Sequence, residues 1–266
     1  FRLIKKHRPT VLLNVPTMMR AMIDEARHER PDLSCLRRNF SSAELLSPQL
    51  HEEWGRAFGV EVIDRLGSAE SGIAYLCNRP GAVVPGSSGV VTPMVEIKLV
   101  DSVGNEVAQG QSGVLMMRSD TAAQYYVRDH EKSKSTFPGD EWVNTGDVFR
   151  QDENDNFWYV GRANDMVKVS GIWVSPLEIE QSLHDCPSVQ ECAALGVRNK
   201  DDLMTIKAFV VLRRGERASP ETVDALQQHC KSKLGPHKVP QAIQIMQDLP
   251  KTGQGKIDRR ALREQQ

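Results

Sequence analysis

The chain has 266 residues, of which 39% are hydrophobic and 26% are charged, and its formal net charge is -1 at pH 7. This composition is typical of a globular protein with one large or two smaller domains, and the nearly balanced charge argues against a nucleic-acid partner. No apolar run approaches the roughly 20 residues that a membrane helix needs, and there is no signal-peptide pattern. We therefore expect a protein that binds neither nucleic acid nor a membrane.

The five cysteines are scattered along the chain and form no C-x-x-C pair. An odd number without metal-ligand spacing disfavours a disulfide framework or a zinc site and fits a reducing compartment. The seven histidines show no H-E-x-x-H spacing, so nothing supports a metalloprotease. These observations predict a cytoplasmic protein.

Strand and helix patterns alternate over residues 1–86. Thr17 is a candidate cap for one predicted helix, with Met18, Met22 and Ala26 on one face, which is expected to be buried. A second helix is predicted to begin at Ser47-Pro48, with serine as its cap and proline at its first position. The strands predicted around these helices are Thr10–Val15, a short strand with its loop within Asn39–Leu46, and Val60–Asp64. This rhythm implies a parallel α/β sheet, in which ligands bind at the carboxyl ends of the strands.

After Pro85 the pattern changes to strands separated by turn clusters, which predicts a small antiparallel barrel over residues 87–163. The predicted strands are Val90–Val100, Val107–Arg118, Trp142–Arg150 and Phe157–Val160. Further on, helices are predicted after Ser175, with Glu178 completing a capping box, and after Ser219. Strands over Val189–Val197 and Met204–Leu212 lie between these helices. The last hundred residues therefore read as an α+β domain.

Four loop stretches combine glycine with charged or polar side chains, and function concentrates in such loops. They are Gly67–Glu70, Asn144–Asp147, Gly161–Gly171 and Leu249–Lys256. A carboxylate after a sheet strand can hold Mg²⁺ or ribose hydroxyls, and a lysine on a glycine-flanked loop can reach a phosphate. Each stretch also has an ordinary interpretation, as a glycine turn, a capped turn, a linker or a solvated lysine.

Together, and in this order, the four stretches resemble the motifs of the adenylate-forming superfamily, the AMP-forming acyl-CoA synthetases. The run from Lys168 to Pro176 is similar to the benzoate-CoA ligase branch. The resemblance covers the whole chain and implies a partial parallel α/β sheet, a small antiparallel barrel and a hinged α+β lid. It implies that residues 1–163 form the carboxyl-terminal part of the large domain and that residues 164–266 form the small mobile lid.

The resemblance also implies a role for each matched position. Glu70 would bind Mg²⁺, and Lys256 would contact the substrate carboxylate and the α-phosphate, which makes both catalytic. Asn164 would be the hinge. The CoA site would include Lys168, Ser170 and Gly171. The nucleotide site would include Ala43, Glu44, Leu45, Asp64, Leu66, Gly67, Ser68, Ala69, Asp147 and Arg162.

Three positions depart from the family pattern, because Ala69 replaces a threonine, Asn164 an aspartate or lysine, and Ala43 a common glycine. The family's Gly/Ser/Thr-rich phosphate loop is absent, so we expect the chain to be the carboxyl-terminal half of such an enzyme and inactive alone. The resemblance implies ATP, Mg²⁺ and CoA as cofactors and a carboxylic acid, aryl and benzoate-like, as the substrate. Activation of an acid for a carrier protein, a non-catalytic AMP- or CoA-binding fragment, and a homodimer are left open.

Overall fold

A computed structural model describes residues 1–28, 31–253 and 257–264 of the chain. The chain divides into two compact units, Phe1–Tyr159 and Val160–Gln266. The division falls just ahead of Asn164, but whether Asn164 acts as a hinge stays a prediction.

The first unit begins with a five-stranded sheet of order β1-β2-β3-β4-β5. Strands β1, β2 and β3 pair in parallel, as predicted, whereas β4 and β5 join antiparallel. Antiparallel pairing therefore starts earlier than Pro85. The elements are α1 (Arg2–His7), β1 (Val11–Asn14), α2 (Pro16–Ala26), β2 (Arg38–Ser41), α3 (Pro48–Phe58), β3 (Val62–Gly67), β4 (Ala74–Cys77) and β5 (Val90–Val91).

Helices α2 and α3 pack together around Trp54, which is fully buried. Helix α3 begins as predicted, because the Ser47 side chain accepts a hydrogen bond from the Leu50 N–H. Helix α2 begins before Thr17, because Pro16 occupies the first position, where its fixed φ suits a helix. The prediction of Thr17 as cap was therefore wrong, and α2 buries Met19 and Ile23 while Met18 is exposed.

An open four-stranded sheet of order β6-β7-β8-β9 completes the first unit. Its elements are β6 (Glu96–Val100), β7 (Ser112–Arg118), α4 (His130–Thr136), β8 (Trp142–Gln151) and β9 (Phe157–Arg162), whose end enters the second unit. The antiparallel pairing is as predicted, but the closed barrel was wrong. The predicted strand Val90–Val100 was also wrong, because it is two strands, β5 and β6, which belong to different sheets. Four strands are too few to close around packed side chains, since small barrels use about eight. Instead one face of the sheet packs on Tyr75 and Leu76 of β4.

The second unit is α+β, as predicted. A three-stranded sheet of order β12-β13-β14 and helices α5 and α6 enclose a core that includes Ile179, Leu183, Leu226 and Cys230. The elements are β10 (Val167–Val169), β11 (Ile172–Val174), α5 (Pro176–His184), β12 (Val189–Arg198), β13 (Met204–Leu212), α6 (Pro220–Lys233), β14 (Ala242–Met246) and α7 (Arg259–Arg263).

The predicted capping box on α5 was wrong. Ser175 precedes the helix but makes no side-chain cap bond, because its Oγ donates to the Val160 carbonyl instead. Glu178 forms an ion pair with Lys238 at 2.6 Å, whereas a capping box would require it to accept a hydrogen bond from the Ser175 backbone N–H. In contrast, Ser219 caps α6 as predicted. Within the described ranges, no helix has the length and apolar character needed to cross a membrane.

Candidate functional site

Three polar side chains form a row across the carboxyl ends of the parallel strands. The register pairs Asn14 with Ser41 and Ser41 with Asp64, so these side chains lie on one face of neighbouring strands. Burial raises the pKa of Asp64 to about 7, and the neighbouring Ser41 hydroxyl and Arg65 backbone N–H offset only part of this effect. The predicted nucleotide-binding position 64 is therefore a carboxyl group that is partly protonated near neutral pH.

The loop after β2 contains the predicted adenine-bordering residues. Ala43 has φ 70°, a left-handed conformation that favours glycine, which explains why glycine is common here in the family. The Glu44 carboxylate accepts hydrogen bonds from the Thr17 N–H at 3.0 Å and the Thr17 hydroxyl at 2.7 Å. Leu45 remains exposed. The loop is thus tied to the start of α2 through Glu44, while Leu45 presents an apolar surface to solvent.

The loop after β3 is shaped by a close backbone approach. A Cβ at Gly67 would lie 2.6 Å from the Ile73 carbonyl oxygen, so no larger residue fits there. Ser68 and Ser71 exchange hydrogen bonds of 3.0 and 3.2 Å. Leu66 packs on the core of the four-stranded sheet. Ala69 is exposed and offers no hydroxyl to a phosphate.

Glu70 follows this turn and is held by a segment far along the chain. The Tyr126 hydroxyl donates to Glu70 Oε1, and the Ala123 N–H donates to the Glu70 carbonyl at 2.8 Å. The Tyr126 hydrogen bond is the main cause that lowers the pKa of Glu70, and the Lys132 charge adds to it. Glu70 is therefore a carboxylate at neutral pH, in contrast to Asp64.

The donor chemistry at Glu70 fits Mg²⁺ bound together with phosphate groups. Within the described part of the chain, no group of three or more His, Cys, Asp or Glu residues could hold a metal ion. Mg²⁺ commonly uses one or two carboxylates and completes its shell with water and substrate phosphates. A single ionised glutamate beside the Ser68 turn meets that requirement.

Asp147 lies in the long strand β8 of the open sheet. The Thr145 hydroxyl donates to the Leu115 carbonyl at 2.8 Å and accepts from the Asp147 N–H at 3.2 Å. Gly146 between them has φ 69°, so the strand is locally distorted. Asp147 itself is only 7% exposed. The turn predicted at Asn144–Asp147 is therefore an irregularity within a strand rather than a turn that ends one.

The predicted CoA segment is a short β-hairpin in the second unit. Strands β10 and β11 pair Lys168 with Trp173, and the loop between the strands is Ser170-Gly171. Both loop residues have positive φ, 50° and 84°, which is the geometry of a type I′ turn. Lys168 lies with its Nζ 5.8 Å from the Trp173 ring centroid. The hairpin presents a cation and an exposed aromatic ring on one face.

The predicted hinge lies just before this hairpin. Asn164 is the middle residue of a single 3₁₀ turn, Ala163–Asp165, and Arg162 precedes that turn at the end of β9. The Met166 N–H donates to the Arg162 and Ala163 carbonyls at 3.2 and 3.3 Å. Asp165 lies 3.8 Å from Arg263.

Lys256 lies outside the described residues, but the chain on either side of it is anchored. Lys251 pairs with Ile257 as an antiparallel bridge and forms an ion pair with Glu191 at 2.5 Å. Arg259, in α7, donates to the Ala194 carbonyl at 3.0 Å and forms an ion pair with Glu180 at 2.7 Å. The chain therefore leaves and rejoins the β12 side of the second unit on either side of Lys256.

Sequence reasoning missed three residues of these sites. Asn14 and Asn39 are buried in the parallel strands, and their side-chain amides have no hydrogen-bond partner among the described residues. An asparagine ending the apolar run before Val15 was the available signal for Asn14. Tyr126 had no signal, because its contact with Glu70 joins distant parts of the sequence.

The sequence matches two family models and resembles several known proteins. Residues 1–127 match the AMP-binding enzyme family, and residues 178–256 match the AMP-binding enzyme C-terminal domain. A 4-hydroxybenzoate–CoA/benzoate–CoA ligase of Rhodopseudomonas palustris is 40% identical over 99% of this chain and 49% of its own length. A benzoate–CoA ligase of Thauera aromatica is 36% identical over 99% of this chain and 50% of its own length. This chain thus spans about half the length of these relatives.

Solved structures give the same result. The anthranilate CoA ligase AuaEII, determined in complex with anthranoyl-AMP, matches 98% of this chain and 51% of its own chain, with a TM-score of 0.85 and 40% identity. The resemblance seen in the four motifs is thereby confirmed, as is the mixed α/β fold with a carboxyl-terminal α+β unit. The chain belongs to the adenylate-forming, AMP-binding enzyme family and is a homologue of its benzoate–CoA ligases.

Proposed function

We propose that the protein containing this chain activates an aryl carboxylic acid with ATP and transfers the acyl group to CoA. The observation that carries this proposal is the Glu70 site, an ionised carboxylate on a glycine turn beside the carboxyl ends of parallel strands. Relatives named as benzoate–CoA and 4-hydroxybenzoate–CoA ligases support an aryl acid and favour CoA over a carrier protein as the acceptor.

The reaction has two steps. In the first, a carboxylate oxygen of the acid attacks the α-phosphorus of ATP, and pyrophosphate leaves as the acyl-AMP forms. In the second, the CoA sulfur attacks the acyl carbon as a thiolate, and AMP leaves as the thioester forms. Both steps depend on positioning and charge stabilisation more than on covalent chemistry by the protein.

The described residues divide the work between the two units. In the first unit, the turn after β3 would face the phosphates, with Glu70 holding Mg²⁺, which neutralises phosphate charge when bound. The loop Ala43–Leu45 would border the adenine, and Asp147 would hold the ribose hydroxyls. In the second unit, Lys256 would serve the first step, and the Lys168–Gly171 hairpin would serve the second after movement about Asn164.

Replacement of Lys256 tests this division of labour. In a form of the protein that performs both steps, Lys256→Ala should slow acyl-AMP formation by about 10²–10³, by analogy with loss of one oxyanion donor. Thioester formation from supplied acyl-AMP should continue at close to the normal rate. Pyrophosphate exchange with benzoate measures the first step, and CoA-thioester formation measures the second.

Lys231→Ala is the matched control, because Lys231 is an exposed lysine in the last turn of α6, within the same unit. It should leave both steps unchanged. Equal loss of both steps in Lys256→Ala would contradict the assignment of Lys256. Absence of pyrophosphate exchange with every aryl acid, in a protein that activates other acids, would contradict the aryl substrate.

A further inference from the structure

The segment before α4 is hydrogen-bonded to backbone carbonyls of the turn that contains Glu70. The Thr121 hydroxyl donates to the Ser71 carbonyl at 2.7 Å, and the Ala123 N–H donates to the Glu70 carbonyl at 2.8 Å. A Cβ at Gly72 would lie 2.8 Å from the Thr121 carbonyl oxygen, so the two segments are in close contact. The position of one segment therefore determines the position of the other.

Tyr126 is held independently by contacts with α4 and with Phe137, which follows that helix. Its backbone N–H donates to the Ser133 hydroxyl at 2.8 Å. Its ring centroid lies 5.6 Å from that of Phe137 and 3.9 Å from the Lys132 ammonium. A ring contacted by both Lys132 and Phe137 has few alternative rotamers, so its hydroxyl is a preorganised donor.

We propose that Tyr126 is a positioning residue for the metal site, because its hydroxyl holds Oε1 of Glu70 and thereby aims the other carboxylate oxygen at the cation. This inference rests on the proposed role of Glu70 toward Mg²⁺. Tyr126 does not touch substrate or cation; it removes the rotational freedom that a glutamate side chain would otherwise lose on binding. Lys132, over the Tyr126 ring, holds that ring in place.

Tyr126→Phe tests the proposal because it removes only the hydroxyl and keeps the ring contacts. Tyr125→Phe is the matched control, since it deletes the same atom from the neighbouring residue, whose side chain is 65% exposed. In a form of the protein that makes acyl-AMP, Tyr126→Phe should raise the Mg²⁺ concentration for half-maximal rate by about 10-fold or more, the worth of one hydrogen bond to a charged group. The rate at saturating Mg²⁺ should change much less.

A binding measurement removes the dependence on turnover. Mn²⁺ accepts the same oxygen ligands as Mg²⁺, and its free ion is counted by electron paramagnetic resonance. With α,β-methylene-ATP bound, Tyr126→Phe should weaken Mn²⁺ binding by a similar factor, about 10-fold, and Tyr125→Phe should not change it. Glu70→Gln sets the scale for complete loss of the carboxylate.

The outcomes separate this inference from the proposed function. If Glu70→Gln leaves the Mg²⁺ requirement and Mn²⁺ binding unchanged, the metal role of Glu70 itself fails. If Glu70→Gln weakens both and Tyr126→Phe weakens neither, the metal role stands and the role of Tyr126 is overturned. If Tyr126→Phe lowers the saturated rate without changing metal binding, Tyr126 supports the fold of the turn and does not position the carboxylate.

Discussion

The ion pair between Arg259 and Glu180 should stabilise the second unit, and its removal gives a large and measurable effect. Glu180 is 7% exposed, and burial raises its pKa although Arg259 and the Ala194 N–H both lower it. The Ala194 N–H donates to Glu180 at 2.7 Å, and Arg259 supplies the only charged partner among the described residues. Arg259→Gln therefore leaves a buried carboxylate with one neutral donor.

The expected cost of Arg259→Gln is about 3–5 kcal/mol, the range for removing one partner of a buried pair. For a unit of this size, each 1 kcal/mol lowers the melting temperature by about 4 °C or more, so the shift should be roughly 12 °C or more. A double variant, Glu180→Gln with Arg259→Gln, removes the uncompensated charge and can keep the Ala194 hydrogen bond. It should recover at least half of the loss.

The assay is urea and thermal unfolding of the 266-residue chain, with hydrogen exchange of α5 and β12 to locate the effect in the second unit. Loss of Arg259 raises the pKa of Glu180 further, so the penalty should be larger at pH 8 than at pH 5, where the carboxyl can protonate. Arg260→Gln is the control, because Arg260 on the same helix forms its only ion pair within the described ranges with the exposed Glu264, at 3.1 Å. An Arg259→Gln effect as small as that of Arg260→Gln, or a double variant no better than the single one, would refute the reasoning.

Two further perturbations follow from the site geometry. Native Asp64 keeps its proton up to about pH 7, whereas the unfolded carboxyl releases it near 3.8, so stability should fall as pH rises between these values, by on the order of 4 kcal/mol at most. Asp64→Asn should flatten this slope in urea unfolding between pH 4 and 8, and an unchanged slope would mean that another group titrates. Asn164→Pro should block thioester formation more than acyl-AMP formation, because proline disfavours the helical conformation of Ala163 in the 3₁₀ turn. Wild-type rates for both steps in Asn164→Pro would show that Asn164 is not the hinge.

The elements that the sequence predicted well are those with local signals. Ser47 and Ser219 both precede a proline and both cap a helix, because each hydroxyl accepts a hydrogen bond from the backbone N–H three residues ahead. Ser175 has the same local pattern but does not cap its helix. Its hydroxyl donates instead to the Val160 carbonyl, fifteen residues earlier in the chain. A distant acceptor can override a local cap, and no window of sequence around Ser175 contains that information.

The missed elements lack a periodic apolar pattern. Helix α4 has no buried residue, so nothing in its sequence marks a face. Strand β14 alternates between half-buried and exposed positions, and it joins its sheet parallel to β13, far from it in the chain. The hairpin around Ser170-Gly171 could have been predicted, because a two-residue loop ending in glycine separates two alternating runs. The glycines and charged side chains of Gly161–Gly171 favoured a loop there instead.

The candidate site divides in the same way. Most of the residues predicted to touch ligands stand in short motifs, and those predictions came from the motifs. Residues that hold them in place do not, since Tyr126 lies 56 residues from Glu70 and Arg259 lies 79 residues from Glu180. These pairs depend on chain paths that only the folded structure brings together.

Three acidic side chains show why residue type alone could not complete the assignment. Asp64 and Glu70 follow one strand, yet burial raises the pKa of Asp64 to about 7, whereas the Tyr126 hydroxyl lowers the pKa of Glu70. Glu180 is buried like Asp64 but has a guanidinium partner. A cation bound beside phosphates requires a carboxylate that is ionised and accessible at neutral pH. Of these three, only Glu70 meets both conditions, so its environment as well as its place in a motif supports our proposal that Glu70 binds Mg²⁺.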